Sequence, residues 1–299
     1  RKDETLELMK ELSQIYKEIV SLNTIVINTR GKEISFGKGQ KRALQSFVRS
    51  MGGSDGVYYP LSGLSGSLVG RIEVRDNRLN VIGVFVAKLG LSSKIKKENE
   101  SYTRHVRLMP INTFTPLLIS MDKGLKEYSA IFYTLADGYT DTLFKVIINA
   151  PSKAVDVIKK VRKSMDRWST ARHVSRVKIG EVRRTKLDDD NFNKLAIQYG
   201  IEDVKDIEDV FVNISKSCIH GDLHGGNVLV NKNENPILID FGDVGLNYTC
   251  LDPITLEMSL IFHPDCVESE ISHEILSSIN NWPNIDLYCK DNPYKEVIK

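Results

Sequence analysis

Cysteine is sparse and scattered in these 299 residues: Cys218, Cys250, Cys266 and Cys289, with no C-x-x-C pair. Nothing in that spacing suggests a disulfide framework or a paired metal or redox motif, so reduced thiols in a cytoplasmic protein are the expectation. Long apolar runs are missing too. No stretch reaches the length needed to span a bilayer, and no signal-peptide pattern is visible, so no membrane partner is expected. Neither charge sign dominates: 41 Lys and Arg against 39 Asp and Glu leave a net charge of +2, which names no partner. A Walker phosphate loop is lacking as well. Gly37-Lys38-Gly39-Gln40-Lys41 has its composition but not its spacing, and no strongly apolar strand precedes it, so it reads as a solvated loop. What the chain does have is length, enough to bury a substantial core in one bilobal domain or two small ones.

The most informative stretch is His220 to Gly242, HGDLHGGNVLVNKNENPILIDFG. Val228-Leu229-Val230 and Ile237-Leu238-Ile239 flank a polar, Asn- and Pro-containing segment, which predicts an antiparallel hairpin. Pairing Val230 with Ile237 sets Asn227 opposite Asp240, where facing residues lie roughly 5 Å apart. Asp222 falls in the loop entering the hairpin. One amide oxygen and two carboxylates at such a mouth suit a hard cation such as Mg²⁺ and a group that orients a nucleophile, the needs of phosphoryl transfer. Two other readings of the same residues stand beside this one. The first is a buried hairpin with polar ends. The second is a transition-metal site from H-x-D-x-H (His220, Asp222, His224), which Gly221, Gly225 and Gly226 disfavour because they suggest a loop.

The spacing D-x-x-x-x-N (Asp222, Asn227) followed by Asp240-Phe241-Gly242 resembles the protein-kinase-like superfamily, and the form HGDLHGGN is most similar to its aminoglycoside phosphotransferase and choline kinase branch. The resemblance covers roughly residues 57–263. It implies an α+β, bilobal fold with an antiparallel-sheet N-lobe and a mainly helical C-lobe. The expected division is an N-terminal extension (1–56: helix, hairpin, helix), an N-lobe (57–136) and a C-lobe (137–299). It also implies ATP (or GTP) and Mg²⁺, with Asp222 as the catalytic aspartate and Asn227 and Asp240 as the metal ligands.

Other residues fit the frame that the resemblance implies. Val57 to Leu61, a glycine-rich turn and Arg71 to Val74 make strand, turn, strand, with backbone at Gly63, Ser65, Gly66 and Ser67 placed to cover phosphates. Alternation along Val81 to Lys88 puts Lys88 at the end of an apolar row with Val84 and Val86. A helix from Ser92 or Ser93 to about Met109 carries Glu98 in its apolar stripe with Ile95, Tyr102, Val106 and Met109. A carboxylate there needs a cation, so a Lys88–Glu98 ion pair is expected, with Glu100 as the fallback partner, holding the lysine for the nucleotide phosphates. Ile131 to Gly138 matches the interlobe hinge, with backbone near Tyr133 and Leu135 meeting the adenine.

Elsewhere the signals are weaker. Leu8, Leu12, Ile15, Ile19 and Leu22 alternate spacings of four and three, a short coiled-coil seam open to packing on the body or to self-association through residues 8–22. The chain opens on Arg1 inside this helical pattern, which reads as a fragment of something longer. Thr24–Ile27 and Glu33–Phe36 read as a hairpin, and residues 139–217 as mainly helical. Residues 159–186 are rich in Lys and Arg and read as a solvated face, while Asp188-Asp189-Asp190 would suit a cationic acceptor. No nucleic-acid-reading motif accompanies the basic run. Asp252-Pro253 reads as N-cap and first residue of a helix. Gly221 stands where protein kinases carry an arginine, and no A-P-E motif follows the short segment after Gly242, so a constitutively formed site is expected. The function read from this is transfer of a γ-phosphate to a small-molecule hydroxyl. The alternatives are a signalling or conflict-system kinase acting on a protein partner, and a nucleotide-binding pseudokinase scaffold.

Overall fold

The structure is a computed structural model and describes residues 2–31, 34–61, 66–136, 138–170, 172–201, 204–266, 270–290, 292 and 295–298, without the side chains of 2, 3, 204, 205 and 270–272. The α+β chain divides into two compact units: Arg1–Glu100 with Thr115–Ala136, and Ser101–Phe114 with Asp137–Lys299.

The first unit runs α1 (Lys2–Asn23), β1 (Val26–Thr29), α2 (Lys38–Ser50), β2 (Asp55–Pro60), β3 (Leu68–Arg75), β4 (Val81–Leu91) and α3 (Ser92–Arg104, which crosses the division). It closes with β5 (Leu117–Met121) and β6 (Tyr128–Thr134). Its six strands form one sheet in the order β1-β2-β3-β4-β6-β5. All pairings are antiparallel except β1 with β2. The helix α2 is amphipathic, and its buried residues Ala43, Leu44, Phe47 and Val48 fall on one face. That face packs on the sheet: the Phe47 ring stacks on Phe132 at 3.8 Å and meets Phe85 edge-on at 5.1 Å. Residues 1–56 therefore share one core with the strands after them, through Leu22, Ile25, Leu44, Phe47 and Val48.

Two expectations for this segment are corrected. The hairpin of Thr24–Ile27 with Glu33–Phe36 does not form. Val26–Thr29 instead pairs in parallel with Asp55–Tyr58, because α2 intervenes as the crossover that parallel neighbours need. Ile34 and Phe36 pack against the core rather than in a strand, and Glu33 lies outside the described residues. Gly37–Lys41 is not a solvated loop but the start of α2. There Gly37 N–H donates to the Gln40 side chain at 2.9 Å, and Gly39 is buried against the Leu125 carbonyl.

The second unit runs β7 (Tyr139–Thr142), α4 (Leu143–Asn149), α5 (Pro151–Ser164), α6 (Asp166–Ser169), β8 (His173–Lys178), α7 (Ile179–Arg184), α8 (Asp189–Tyr199), α9 (Val204–Glu208) and β9 (Phe211–Ile219). It continues with β10 (Val228–Asn231), β11 (Pro236–Leu238), β12 (Gly245–Tyr248), α10 (Leu251–Phe262), α11 (Glu270–Ser278), α12 (Ile285–Lys290) and α13 (Lys295–Ile298). Two three-stranded sheets, β11-β10-β7 and β12-β9-β8, lie among these helices. Residues 139–217 are thus less helical than expected. The strands His173–Lys178 and Phe211–Ile219 do alternate, but on a half-exposed sheet whose polar and basic side chains hide the period of two. Among the described residues no helix is long and apolar enough to cross a membrane, and no disulfide forms. Burial, and next the charge of Asp252, pushes the Cys218 thiol up to about 12.

The stacked Phe47 gives a direct test of how far residues 1–56 belong to this core. Phe47→Ala is expected to cost about 3–5 kcal/mol, read as a lower urea midpoint at unchanged slope. A loss under about 1 kcal/mol would show α2 to be a peripheral attachment.

Candidate active site

β9 delivers the chain to His220 and then to a sharp turn at Gly221, whose φ is +81°. A Cβ at Gly221 would lie 2.3 Å from the Asp243 carbonyl oxygen, so only glycine fits. The turn is held from α10. The buried Asp252 carboxylate accepts hydrogen bonds from His220 N–H at 2.8 Å and Gly221 N–H at 2.9 Å. The Gly221 carbonyl accepts from the Lys186 ammonium. Asp252 is thus not the helix cap that Asp-Pro suggested, since Cys250 holds that position. Two backbone donors in a dry turn bind a carboxylate more strongly than an exposed helix end would. His220 is fully buried, donates from Nε2 to the Ile239 carbonyl at 3.1 Å, and so ties the turn to the strand leading to Asp240. Behind it Phe241 packs at 6.0 Å, and Tyr102 packs on Phe241 at 5.7 Å.

Asp222 follows, with its carboxylate about half exposed, and Asn227 is buried one turn later. The Asn227 amide nitrogen donates to the Asp222 carbonyl at 2.9 Å and sits 3.4 Å from its Oδ2. The nitrogen being engaged, the oxygen is the atom that Asn227 can offer a cation. The hairpin itself forms one residue out of the expected register: Val228 faces Leu238, Leu229 faces Ile237 and Val230 faces Pro236. The turn decides this. Asn231 Oδ1 accepts from the N–H groups of Asn233 and Asn235, each at 3.0 Å, and Asn231 N–H donates to the Asn235 carbonyl at 3.1 Å. The loop closes one residue early, and Asn227 faces Ile239, whose N–H it accepts at 3.1 Å. A slip of one would turn Asp240 to the other face of the ribbon. Asp240 lies beyond the end of β11 with a left-handed backbone, φ +60°, so strand alternation does not set the direction of its carboxylate. Such strain in a non-glycine residue is characteristic of sites that must aim a side chain. An amide oxygen and carboxylate oxygens form a donor set for a hard divalent cation such as Mg²⁺.

His224 lies between these carboxylates in electrostatic terms. Burial holds its imidazole below the usual histidine range, the Asp222 charge opposes this, and Asp240 adds to the opposition. Its ring stacks with His263 at 4.6 Å, and Gly226 N–H donates to its Nδ1. The H-x-D-x-H reading fails because His220, Asp222 and His224 do not converge as a metal-binding group. Among the described residues no group of three His, Cys, Asp or Glu could hold a metal.

In the first unit, Lys88 sits in β4 with its ammonium 2.8 Å from Glu98 Oε2, both side chains being buried. The Tyr133 hydroxyl donates to Glu98 Oε1 at 2.7 Å, so the carboxylate is held on both oxygens. The stripe Ile95, Glu98, Tyr102, Val106 and Met109 is buried throughout, although the α-helix ends at Arg104 and a short 3-10 turn carries Val106. Tyr133 is paired in β6 with Val86 on one side and Leu117 on the other. Leu135 lies just past the strand end and is exposed. Gly66, with φ +70°, and Ser67 lead into β3, whereas Gly63 and Ser65 lie outside the described residues.

Several members of the two charge runs are engaged with nearby acids or with the backbone. Arg183 pairs with Glu208 and Asp189 at 2.6 Å each, Arg184 with Asp189 at 2.9 Å, and Lys178 with Asp209 at 2.7 Å. Lys160 and Arg167 donate to the Glu234 and Leu108 carbonyls. Hydrogen bonds from Arg183 and Arg184 hold the Asp189 carboxyl low, and Asp188 caps α8 through Asn191 N–H. Three residues in these networks carried no sequence signal of such a role: Asp252, Lys186 and the Tyr133 hydroxyl. All three act on groups 31 or more residues away along the chain.

Comparison with known proteins bears on the same stretch. Residues 183–265 match the family model described as "Phosphotransferase enzyme family", a segment that includes Lys186, Asp222, Asn227, Asp240 and Asp252. This agrees with the resemblance to the aminoglycoside phosphotransferase branch and with a phosphotransferase activity. No curated protein matches the chain. Among solved structures, a thermostable aminoglycoside phosphotransferase APH(4)-Ia in ternary complex with ADP and hygromycin B is similar at 14% identity and a TM-score of 0.49, over 82% of this chain and 84% of that one. Its apo form is similar at 13% identity and a TM-score of 0.41, over 81% and 93%. A complex with AMP-PNP and hygromycin B gives 13% identity and a TM-score of 0.44, over 81% and 83%.

The Asp252 clamp predicts a graded loss of stability. Asp252→Asn keeps one acceptor for two buried N–H groups and is expected to cost about 1–3 kcal/mol, whereas Asp252→Ala orphans both and costs about 2–6 kcal/mol. Urea unfolding of the two variants checks this. Equal stability of Asp252→Ala and wild type would remove the clamp from the account.

Proposed function

We propose that this chain is a Mg²⁺- and ATP-dependent phosphotransferase that moves the γ-phosphate to a hydroxyl of a small-molecule acceptor. The observation that carries the reading is the loop from His220 to Asn227, inside the segment that matches the phosphotransferase family. There a half-exposed Asp222 carboxylate stands beside an asparagine whose amide nitrogen is engaged by Asp222. Asp222 orients the acceptor hydroxyl and takes its proton. Asn227 and Asp240 would hold the metal, which supplies charge neutralisation on the phosphates when bound.

Lys88 steadies the α- and β-phosphates, and Glu98, itself fixed by Tyr133, keeps the ammonium in place. Backbone at Gly66 and Ser67, leading into β3, covers the phosphates. The purine edge of ATP (or GTP) meets backbone near Tyr133 and Leu135, at the end of β6. Because charge is stabilised by groups already in place, most of the rate comes from positioning.

A small acceptor is favoured over a protein by the segment between Gly242 and Asp252. Residues Gly245–Tyr248 are β12, paired along β9 from Gly245–Ile219 to Tyr248–Lys216. A segment locked as a strand supports a site formed without phosphorylation, as the missing A-P-E motif suggests.

Isothermal titration with Mg-ATP, followed by acceptor-independent ATP hydrolysis and an acceptor screen with labelled ATP, tests the reading. Asp240→Ala is expected to remain folded and to lose turnover by at least about 100-fold. Asp222→Asn should lower kcat by about 10²–10⁴-fold with nucleotide binding retained. A folded Asp240→Ala variant as active as wild type, or a wild type that binds no nucleotide, would sink the proposal.

A further inference from the structure

We propose that this chain self-associates, α1 pairing in parallel with α1 of a second copy. The observation is independent of the phosphotransferase reading. Leu8, Leu12, Ile15 and Ile19 lie on one stripe of α1 and are 55%, 55%, 51% and 40% exposed, and Met9 and Tyr16 flank them at 64% and 68%. The described residues cover none of this face. The body holds α1 near its C-terminal end, where Leu22 enters the core and Arg49 donates to the Glu18 carbonyl at 3.2 Å.

Area and pattern both point to a second copy. The six exposed side chains present on the order of 700 Å² and Leu6 and Val20 add to it, approaching the roughly 800 Å² that each partner contributes to a standard stable interface. Contiguous apolar exposure of that size is beyond what monomers ordinarily leave in water. The alternating four and three spacing is that of a coiled-coil seam, with Leu12 and Ile19 at one core position and Leu8 and Ile15 at the other. A seam of this kind is complementary to itself.

Charge selects the orientation. In this register Glu11 and Glu18 take the flanking position on one side of the seam and Met9 and Tyr16 the flanking position on the other. A parallel pair sets each glutamate against the partner's Met or Tyr side. An antiparallel pair sets glutamates against glutamates, a like-charge juxtaposition that costs stability.

The test is the mass of the whole chain in solution, by sedimentation equilibrium across a concentration series. The wild type is expected to be dimeric at tens of micromolar. Leu12→Glu combined with Ile15→Lys should weaken dimerisation by about 100-fold. Both side chains are more than half exposed, so the unfolding midpoint at low concentration should not change. Under mild oxidation Leu8→Cys should cross-link to its own copy, as a parallel pair requires. A monomeric wild type, a larger oligomer, a dimer that survives the double substitution, or a Leu8→Cys variant that stays uncross-linked would each overturn the proposal.

Discussion

A single buried carboxylate organises the second unit. Asp252, carried in the first turn of α10, takes the N–H groups of His220 and Gly221 and so fixes the turn from which Asp222 projects. The constraint is mutual. Gly221 can make that turn only because it lacks a Cβ, and the close approach of the Asp243 carbonyl leaves no room for one. His220 then reaches back to the Ile239 carbonyl, and the hairpin is locked to the loop at both ends. Two charge-assisted bonds in a dry environment hold this geometry more firmly than the exposed turn residues could.

The buried ion pair of the first unit obeys the same rule from the opposite direction. Burying Lys88 or Glu98 alone would be costly, by several kcal/mol, and their attraction offsets that cost only if the remaining lone pairs are satisfied. The Tyr133 hydroxyl does so on the second Glu98 oxygen. By contrast, the exposed pairs of Lys153, Lys159 and Lys178 contribute little to stability. Such exposed pairs are consistent with the solvated face that the basic run suggested.

The path from residues to structure was clearest where one local rule sufficed. The burial of Glu98 in an apolar helical stripe, and its need for Lys88, followed from periodicity and the cost of a lone buried charge. So did the hairpin after Asn227. Errors arose where two local readings competed. The hairpin register turned on whether Asn231 would curl onto Asn233 and Asn235, a side-chain preference that strand alternation does not see. Ile25 and Ile27 looked ready for a hairpin with Ile34 and Phe36, but a parallel place beside β2 was open once α2 had packed. The Asp-Pro at 252–253 suggested a cap, yet its carboxylate had better donors 31 and 32 residues away.

By itself the sequence determined the chemistry on offer: the aspartates and asparagine of the loop and hairpin, the lysine and glutamate of the sheet and helix, and the seam of α1. Composition and period are local, and a carboxylate in an apolar stripe demands its cation whatever the rest of the chain does. Tertiary structure alone decided which polar group each of these residues would answer to, that Asp252 and Lys186 would grip Gly221, and that Asp240 would adopt a left-handed backbone. Those outcomes depend on donors and acceptors brought together from distant parts of the chain, and their energies exist only after water has been excluded from between them.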